Sequence, residues 1–176
     1  MSIPNLITLA RILLVPVVVW AIASNQMLFA FLLFAAAGLS DAVDGFLAKR
    51  FGMASELGAY LDPLADKVLL VSIYVALAVS ETVPATIAIL IVFRDLMIIA
   101  AFLVSWIMGK PMKVRPLLVS KANTMAQIAF AALVLGAKAF GLKLGLWFDA
   151  SLAIVAALTL ASAGAYLYQW IRHMGL

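Results

Sequence analysis

The sequence predicts an all-α integral membrane protein with six transmembrane helices. Three observations carry that expectation: 67% of the 176 residues are hydrophobic, only 11% are charged, and the apolar residues gather in long runs. A water-soluble domain carries about 25% charged residues, and a chain this small has too few charges to cover its own surface. Mean hydropathy is +1.19. Crossing about 30 Å of hydrocarbon at 1.5 Å per residue takes roughly 20 residues, and the runs have that length.

The first span is expected from about Asn5 to Ser24, an apolar stretch interrupted only by Arg11. The second covers about Met27 to Lys49 and the third about Gly58 to Ser80; both place acids near one end. The fourth extends from about Val83 to Met108 and holds Arg94 and Asp95. The fifth runs from about Ser120 to Phe140 and the sixth from about Leu146 to Ile171. Trp20, Trp106, Trp147 and Trp170 fall near span ends, where aromatic belts form. Short connectors make neighbouring helices antiparallel. With no soluble segment, low-complexity tract or internal repeat, residues 1–176 are expected to form one membrane-embedded domain.

Flanking charge sets the expected sidedness. With six spans both termini share a side, and that side carries Lys49, Arg50, Lys110, Lys113, Arg115 and Arg172. The other side carries Lys138 and Lys143. Basic residues collect in the cytoplasm, so the termini are expected there. The N-terminus, Met1 to Pro4, has no basic residue and no A-x-A site follows, so the first span is expected to be kept rather than cleaved. The net charge of +4 then reflects contact with anionic lipid rather than nucleic acid. Zero cysteines exclude disulfides, thiolate catalysis and cysteine metal sites.

The informative residues are charges that a bilayer disfavours. Asp41 and Asp44 lie near the cytoplasmic end of the second span, and Asp62 and Asp66 near the cytoplasmic start of the third, beside Lys67. Ionisable groups at membrane depth are costly and usually line a cavity or pathway. The spacings i, i+3 and i, i+4 put each pair on one helix face, and the short connector turns the chain back so that the pairs can meet. Four oxygen-donor carboxylates suit hard divalent ions such as Mg²⁺ or Mn²⁺, and their charge suits two ions better than one. The alternative is four helix-end acids neutralised by Lys49, Arg50 and Lys67. A third reading, an ion or proton pathway, calls for acids at mid-bilayer in matched halves; these acids occupy one end of one pair of spans.

The stretch Asp41-Ala-Val-Asp44-Gly45-Phe-Leu-Ala48-Lys49, eight residues, then Gly58-Ala-Tyr-Leu-Asp62-Pro-Leu-Ala-Asp66 resembles the signature of the CDP-alcohol phosphotransferases, D-x-x-D-G-x-x-A-R-x8-G-x-x-x-D-x-x-x-D. Seven of its eight fixed positions match, and the family's arginine is replaced by Lys49, followed by Arg50. The resemblance implies a six-helix membrane enzyme that pairs as a homodimer in the bilayer. It implies two divalent cations, Mg²⁺ or Mn²⁺, held by Asp41, Asp44, Asp62 and Asp66 on the pyrophosphate of CDP-diacylglycerol. Asp66 corresponds to the general base for the incoming hydroxyl. Asn5, Thr8, Gly45, Lys49 and Ser55 correspond to contacts with the CDP moiety. A lysine at position 49 gives a point charge in place of a bidentate fork. The location implied is a bacterial inner membrane or an equivalent organellar membrane, with the active site facing the cytoplasm.

Further stretches, Phe93-Arg94-Asp95, Arg115-Pro-Leu-Leu-Val and Ser120-Lys121-Ala-Asn123-Thr124-Met-Ala-Gln127, resemble the cardiolipin synthases of the mitochondrial type. That likeness implies phosphatidylglycerol as acceptor, with Arg94, Arg115 and Lys121 on its phosphate, since Arg and Lys are the usual anion partners. Glycerol 3-phosphate, the acceptor of phosphatidylglycerophosphate synthases, calls for a similar basic pocket and stays open. Arg94 can equally be a partner of Asp95, Arg115 a loop charge and Lys121 a snorkelling side chain. Arg11, one turn past Thr8, either faces the pyrophosphate or pairs with a site aspartate.

Overall fold

The computed structural model describes residues 3–51, 56–109 and 117–174, with side chains described for 7–41, 62–109 and 117–174. Among the described residues every regular element is an α-helix, and there are six: α1 (Ile3–Ala23), α2 (Met27–Phe51), α3 (Glu56–Val79), α4 (Ala85–Ile107), α5 (Leu118–Ala139) and α6 (Leu146–Met174). Each overlaps one expected span.

The helices stop where the backbone can turn over. At the end of α1, Asn25 takes φ 57°. Its amide bonds to the carbonyl of Ile22 at 3.0 Å, and that of Gln26 reaches Ala21 at 2.8 Å. This left-handed cap satisfies carbonyls that the helix leaves over, and asparagine tolerates the conformation. The end of α3 repeats it with Glu81 at φ 55°, where Thr82 bonds back to Leu77 at 2.9 Å. At the end of α5 a glycine supplies the turn: Gly141 has φ 66°, and Leu142 bonds to Ala137 at 2.8 Å.

By contacts the chain divides into two compact units. One comprises Met1–Val83 with Ala131–Lys143. In it α1 packs against both α2 and α3, and Val18, Ile22, Ile73, Tyr74 and Leu77 are buried completely or nearly so. A small residue lets a ring approach: a Cβ placed on Gly136 would stand 3.3 Å from the Phe31 ring, which meets Phe140 edge-on at 5.9 Å between centroids.

The other unit comprises Pro84–Phe130 with Leu144–Leu176. There α4 packs on α6, with Ile91 and Val155 buried. The Trp170 indole donates to the Ala101 carbonyl at 3.1 Å and to Ser105 Oγ at 3.0 Å. Phe130 and Phe148 lie 5.6 Å apart between centroids.

Among the described residues three helices, α4, α5 and α6, are long and apolar enough to cross a membrane. The sequence predicts six crossings. Among the described side chains the apolar stretches of α1 and α2 are Ile7–Ala23 and Met27–Asp41, and α3 carries Asp62, Asp66 and Lys67 before its apolar run. Of α1, α2 and α3 only parts fall among the described side chains, 7–23, 27–41 and 62–79. On α4, Ile89, Phe93, Leu96, Ile99 and Trp106 are exposed; a surface this apolar fits lipid contact rather than water.

The close approach at Gly136 generates a prediction. Gly136→Leu forces the Phe31 ring aside and lowers stability by about 1–3 kcal/mol. Gly38, in the interior of α2, has open space around its missing Cβ, so Gly38→Ala is neutral or stabilises by up to about 1 kcal/mol. Thermal melts of the two purified variants in one detergent make the comparison.

Candidate functional site

Three helices of the first unit bring polar side chains together. Thr8 and Arg11 stand one turn apart on α1, Asp41 lies on α2, and Asp62 and Asp66 lie one turn apart on α3. Helical periodicity gives each pair a common face. The Thr8 hydroxyl donates to Asp62 Oδ1. Arg11 Nη1 donates to Asp66 Oδ1 at 2.6 Å, and Nη2 stands 2.9 Å from Asp41 Oδ1. One guanidinium thus bridges carboxylates of two other helices.

Exposure divides this cluster into a closed side and an open side. The Arg11 side chain is 1% exposed, whereas those of Asp41 and Asp66 are 48% and 49% exposed. A ligand approaching the carboxylates therefore meets them before it meets the arginine. Thr8, a sequence candidate for the nucleotide, is fully buried and spends its hydroxyl on Asp62. Of the two readings left open for Arg11, the structure shows pairing with aspartates.

The donor set is chemically right for hard divalent cations, because it offers carboxylate oxygens without nitrogen or sulfur. Among the described residues, no group of three or more His, Cys, Asp or Glu side chains is arranged to hold a metal ion. Asp44 would extend the set, but its side chain lies outside the described residues. So do the side chains of Asn5 and Lys49, the surroundings of Gly45, and all of Ser55 and Arg115. For Asn5, Asp44, Gly45 and Lys49 the structure gives the helical backbone.

A second polar cluster sits within the other unit, around Arg94, whose residue is 2% exposed. Its Nε donates to Ser162 Oγ at 3.1 Å and its Nη2 to the same oxygen at 2.7 Å. Nη2 also donates to Ser120 Oγ. Nη1 pairs with Asp95 Oδ1 at 2.6 Å, and the Tyr166 ring lies 5.6 Å from the guanidinium carbon. Arg94, a sequence candidate for the acceptor phosphate, thus already has protein partners at all three nitrogens. Lys121, on the same helix as Ser120, is exposed. Deeper in the bundle, Thr159 Oγ1 donates to Asn123 Oδ1 at 2.9 Å, and all of these atoms are buried.

Sequence reasoning missed Ser162, Thr159 and Tyr166. They recur at i, i+3 and i+7 on α6, a helical stripe of hydroxyls in an apolar run. That periodicity was the available signal.

A family model described as CDP-alcohol phosphatidyltransferase matches residues 1–166. A human (Homo sapiens) cardiolipin synthase (CMP-forming) is 32% identical over 183 residues, covering 95% of this chain and 61% of that protein. A CDP-diacylglycerol–glycerol-3-phosphate 3-phosphatidyltransferase 1, chloroplastic, from Oryza sativa subsp. japonica is 33% identical, covering 98% of this chain and 58% of that protein. One of the same activity name from Rickettsia felis is 29% identical, covering 88% of this chain and 90% of its own length. The chain therefore spans about three fifths of the length of the human and rice relatives.

The Arg94 cluster generates a stability prediction. Arg94→Ala removes the guanidinium that pairs with Asp95, whose side chain is 13% exposed, and that bonds Ser120 and Ser162. Breaking such a buried pair costs about 3–5 kcal/mol. Lys121→Ala, on an exposed position, changes stability by about 0.5 kcal/mol or less. Differential scanning fluorimetry of the two variants reads this directly; an arginine kept only for a headgroup would leave the midpoint unmoved.

Proposed function

The chain belongs to the CDP-alcohol phosphatidyltransferase family, and from that premise we propose that it transfers the phosphatidyl group of CDP-diacylglycerol to a hydroxyl of phosphatidylglycerol, giving cardiolipin and CMP. The observation that carries this reading is the convergence of Asp41, Asp62 and Asp66 on Thr8 and Arg11, with the acids half open. Those acids stand at signature positions.

In the transfer, Asp66 accepts the proton of the acceptor hydroxyl. The freed oxygen forms a bond to the phosphorus attached to diacylglycerol, and the bond from that phosphorus to the bridging oxygen breaks. The electron pair leaves with CMP. Thr8 holds Asp62, and Arg11 holds Asp66 beside Asp41, so the carboxylates are oriented before substrate arrives. Positioning and electrostatics supply most of the catalysis in phosphoryl transfer. Asp41, Asp44, Asp62 and Asp66 would hold two divalent cations, Mg²⁺ or Mn²⁺, which when bound neutralise charge on the pyrophosphate oxygens.

This reading comes with six membrane crossings, both termini and the acids on the cytoplasmic side, a single catalytic domain, and a homodimer in the bilayer. The basic flanks Lys49, Arg50, Lys110, Lys113 and Arg115 support the sidedness. A second acceptor, glycerol 3-phosphate, is favoured by the rice and Rickettsia relatives. The first is favoured by the human and rat cardiolipin synthases, at 32% and 33% identity. The transporter reading has no support from any of these relatives.

Purified protein given CDP-diacylglycerol and either acceptor separates the alternatives. Cardiolipin and CMP are expected with phosphatidylglycerol; CMP release with glycerol 3-phosphate alone assigns the second acceptor, and no CMP with either removes both. Asp66→Asn is expected to cut turnover by about 10²–10⁴, the usual contribution of a general base, while CDP-diacylglycerol binding persists. Retained turnover would remove Asp66 from that role.

A further inference from the structure

Arg11 is the only charged residue of α1 and is 3% exposed. A guanidinium buried in an apolar bundle is retained only when its charge is met, and here the partners are two of the acids assigned to divalent cations. Arg94 offers an internal comparison. Its Nε, Nη1 and Nη2 all make hydrogen bonds, three to serine hydroxyls and one to its own neighbour in sequence. Arg11 is held differently. Nη1 donates to Asp66, Nη2 stands against Asp41 as a charge pair, and Nε and Nη2 make no hydrogen bond among the described residues. Arg94 is locked by geometry, whereas Arg11 is held chiefly by the negative charge in front of it.

The consequence follows from charge alone. Asp41, Asp62 and Asp66 crowd one end of a helix cluster and repel one another unless a cation lies among them. A divalent ion supplies that charge from the open side; Arg11 supplies it from the closed side. The two cations repel each other and draw on the same carboxylates.

We propose that Arg11 is the resident counter-ion of the acidic cluster: it holds Asp41 and Asp66 together when no divalent cation is bound, competes with divalent cations for them, and so sets their affinity. The inference rests on the divalent-cation reading of the four aspartates given above. Arg11 is a positioning residue, acting through the carboxylates. Its competition keeps the cations exchangeable, and its charge keeps the empty site from splaying.

The test measures Mn²⁺ binding to the full chain in nanodiscs, from the electron paramagnetic resonance signal of free Mn²⁺, beside metal-free thermal midpoints. Arg11→Gln is expected to bind Mn²⁺ about tenfold more tightly or better, because a full positive charge next to the ion is gone. Its metal-free midpoint falls, and Mn²⁺ restores it. A residue that merely built the site would do the opposite, since its loss would weaken binding. Arg11→Lys keeps the charge but loses the fork that reaches two carboxylates, so its affinity lies between the other two, and it carries the test if the glutamine variant does not fold. Unchanged or weaker Mn²⁺ binding by the folded variant overturns the inference while wild-type binding leaves the divalent reading intact. Absence of Mn²⁺ binding by the wild type overturns that reading, and the inference with it.

Discussion

An ionised side chain among packed apolar helices must find its countercharge, and in the first unit that requirement falls on Arg11. Leucine, valine and alanine fill most of α1, and the hydrophobic drive to bury them is non-directional, rewarding any rotation that hides the same area. The pairs to Asp41 and Asp66 are not indifferent. Together with the Thr8–Asp62 hydrogen bond one turn earlier, they fix the rotation and depth of α1 against α2 and α3. A buried ion pair adds little net stability over a well-packed apolar one, and its best-attested use is to specify register. Below these pairs the core needs no such device: Val18, Ile22, Ile73 and Leu77 are dry and closely packed.

The second unit answers the same requirement with one adjacent acid and several neutral partners. Arg94 has one acid, the adjacent Asp95, and otherwise relies on Ser120, Ser162 and the face of Tyr166. Hydroxyls solvate a guanidinium without presenting a charge that another cation could claim. The result is a closed network, in contrast to the half-exposed carboxylates around Arg11. Small residues make room for large groups in both units: serine on α6 admits the Arg94 head, and glycine at position 136 admits the Phe31 ring.

The six helices were legible in the sequence because hydropathy marks the apolar stretches directly. Their ends were less so. The second span was expected to end at Lys49 and its helix runs to Phe51; the sixth was expected to end at Ile171 and its helix runs to Met174. At these two ends backbone hydrogen bonding continues past the point where side chains turn polar, whereas α4, expected over Val83 to Met108, is shorter at Ala85–Ile107. Six crossings were also read from the runs; among the described residues three helices, α4, α5 and α6, are long and apolar enough to make one. The acids themselves were legible through i, i+3 and i, i+4 spacing, since periodicity fixes which residues share a face. Which faces meet was legible only as one of two readings for Arg11: Asp62 and Asp66 find their α1 partners 54 and 55 residues away, and no local pattern encodes which acid pairs with which. Arg94 shows the converse limit, because a basic residue in a span reads the same whether it awaits a phosphate or is already enclosed by serines.

The asymmetry between the two arginines bears on what a lipid-modifying site at a membrane must do. Carboxylates that are to receive cations and a pyrophosphate have to be assembled before those charges arrive, yet unpaired carboxylates at that depth repel one another and draw in water. A neutral scaffold of hydroxyls could orient them but would leave the repulsion in place. A fully hydrogen-bonded arginine would remove the repulsion but would hold its oxygens against any newcomer. An arginine placed on the closed side, paired by charge and incompletely hydrogen-bonded, does the first without the second. The same chain shows that a locked arginine is within its means. Arg94 is hydrogen-bonded at every guanidinium nitrogen, while Arg11 faces carboxylates that stay half exposed.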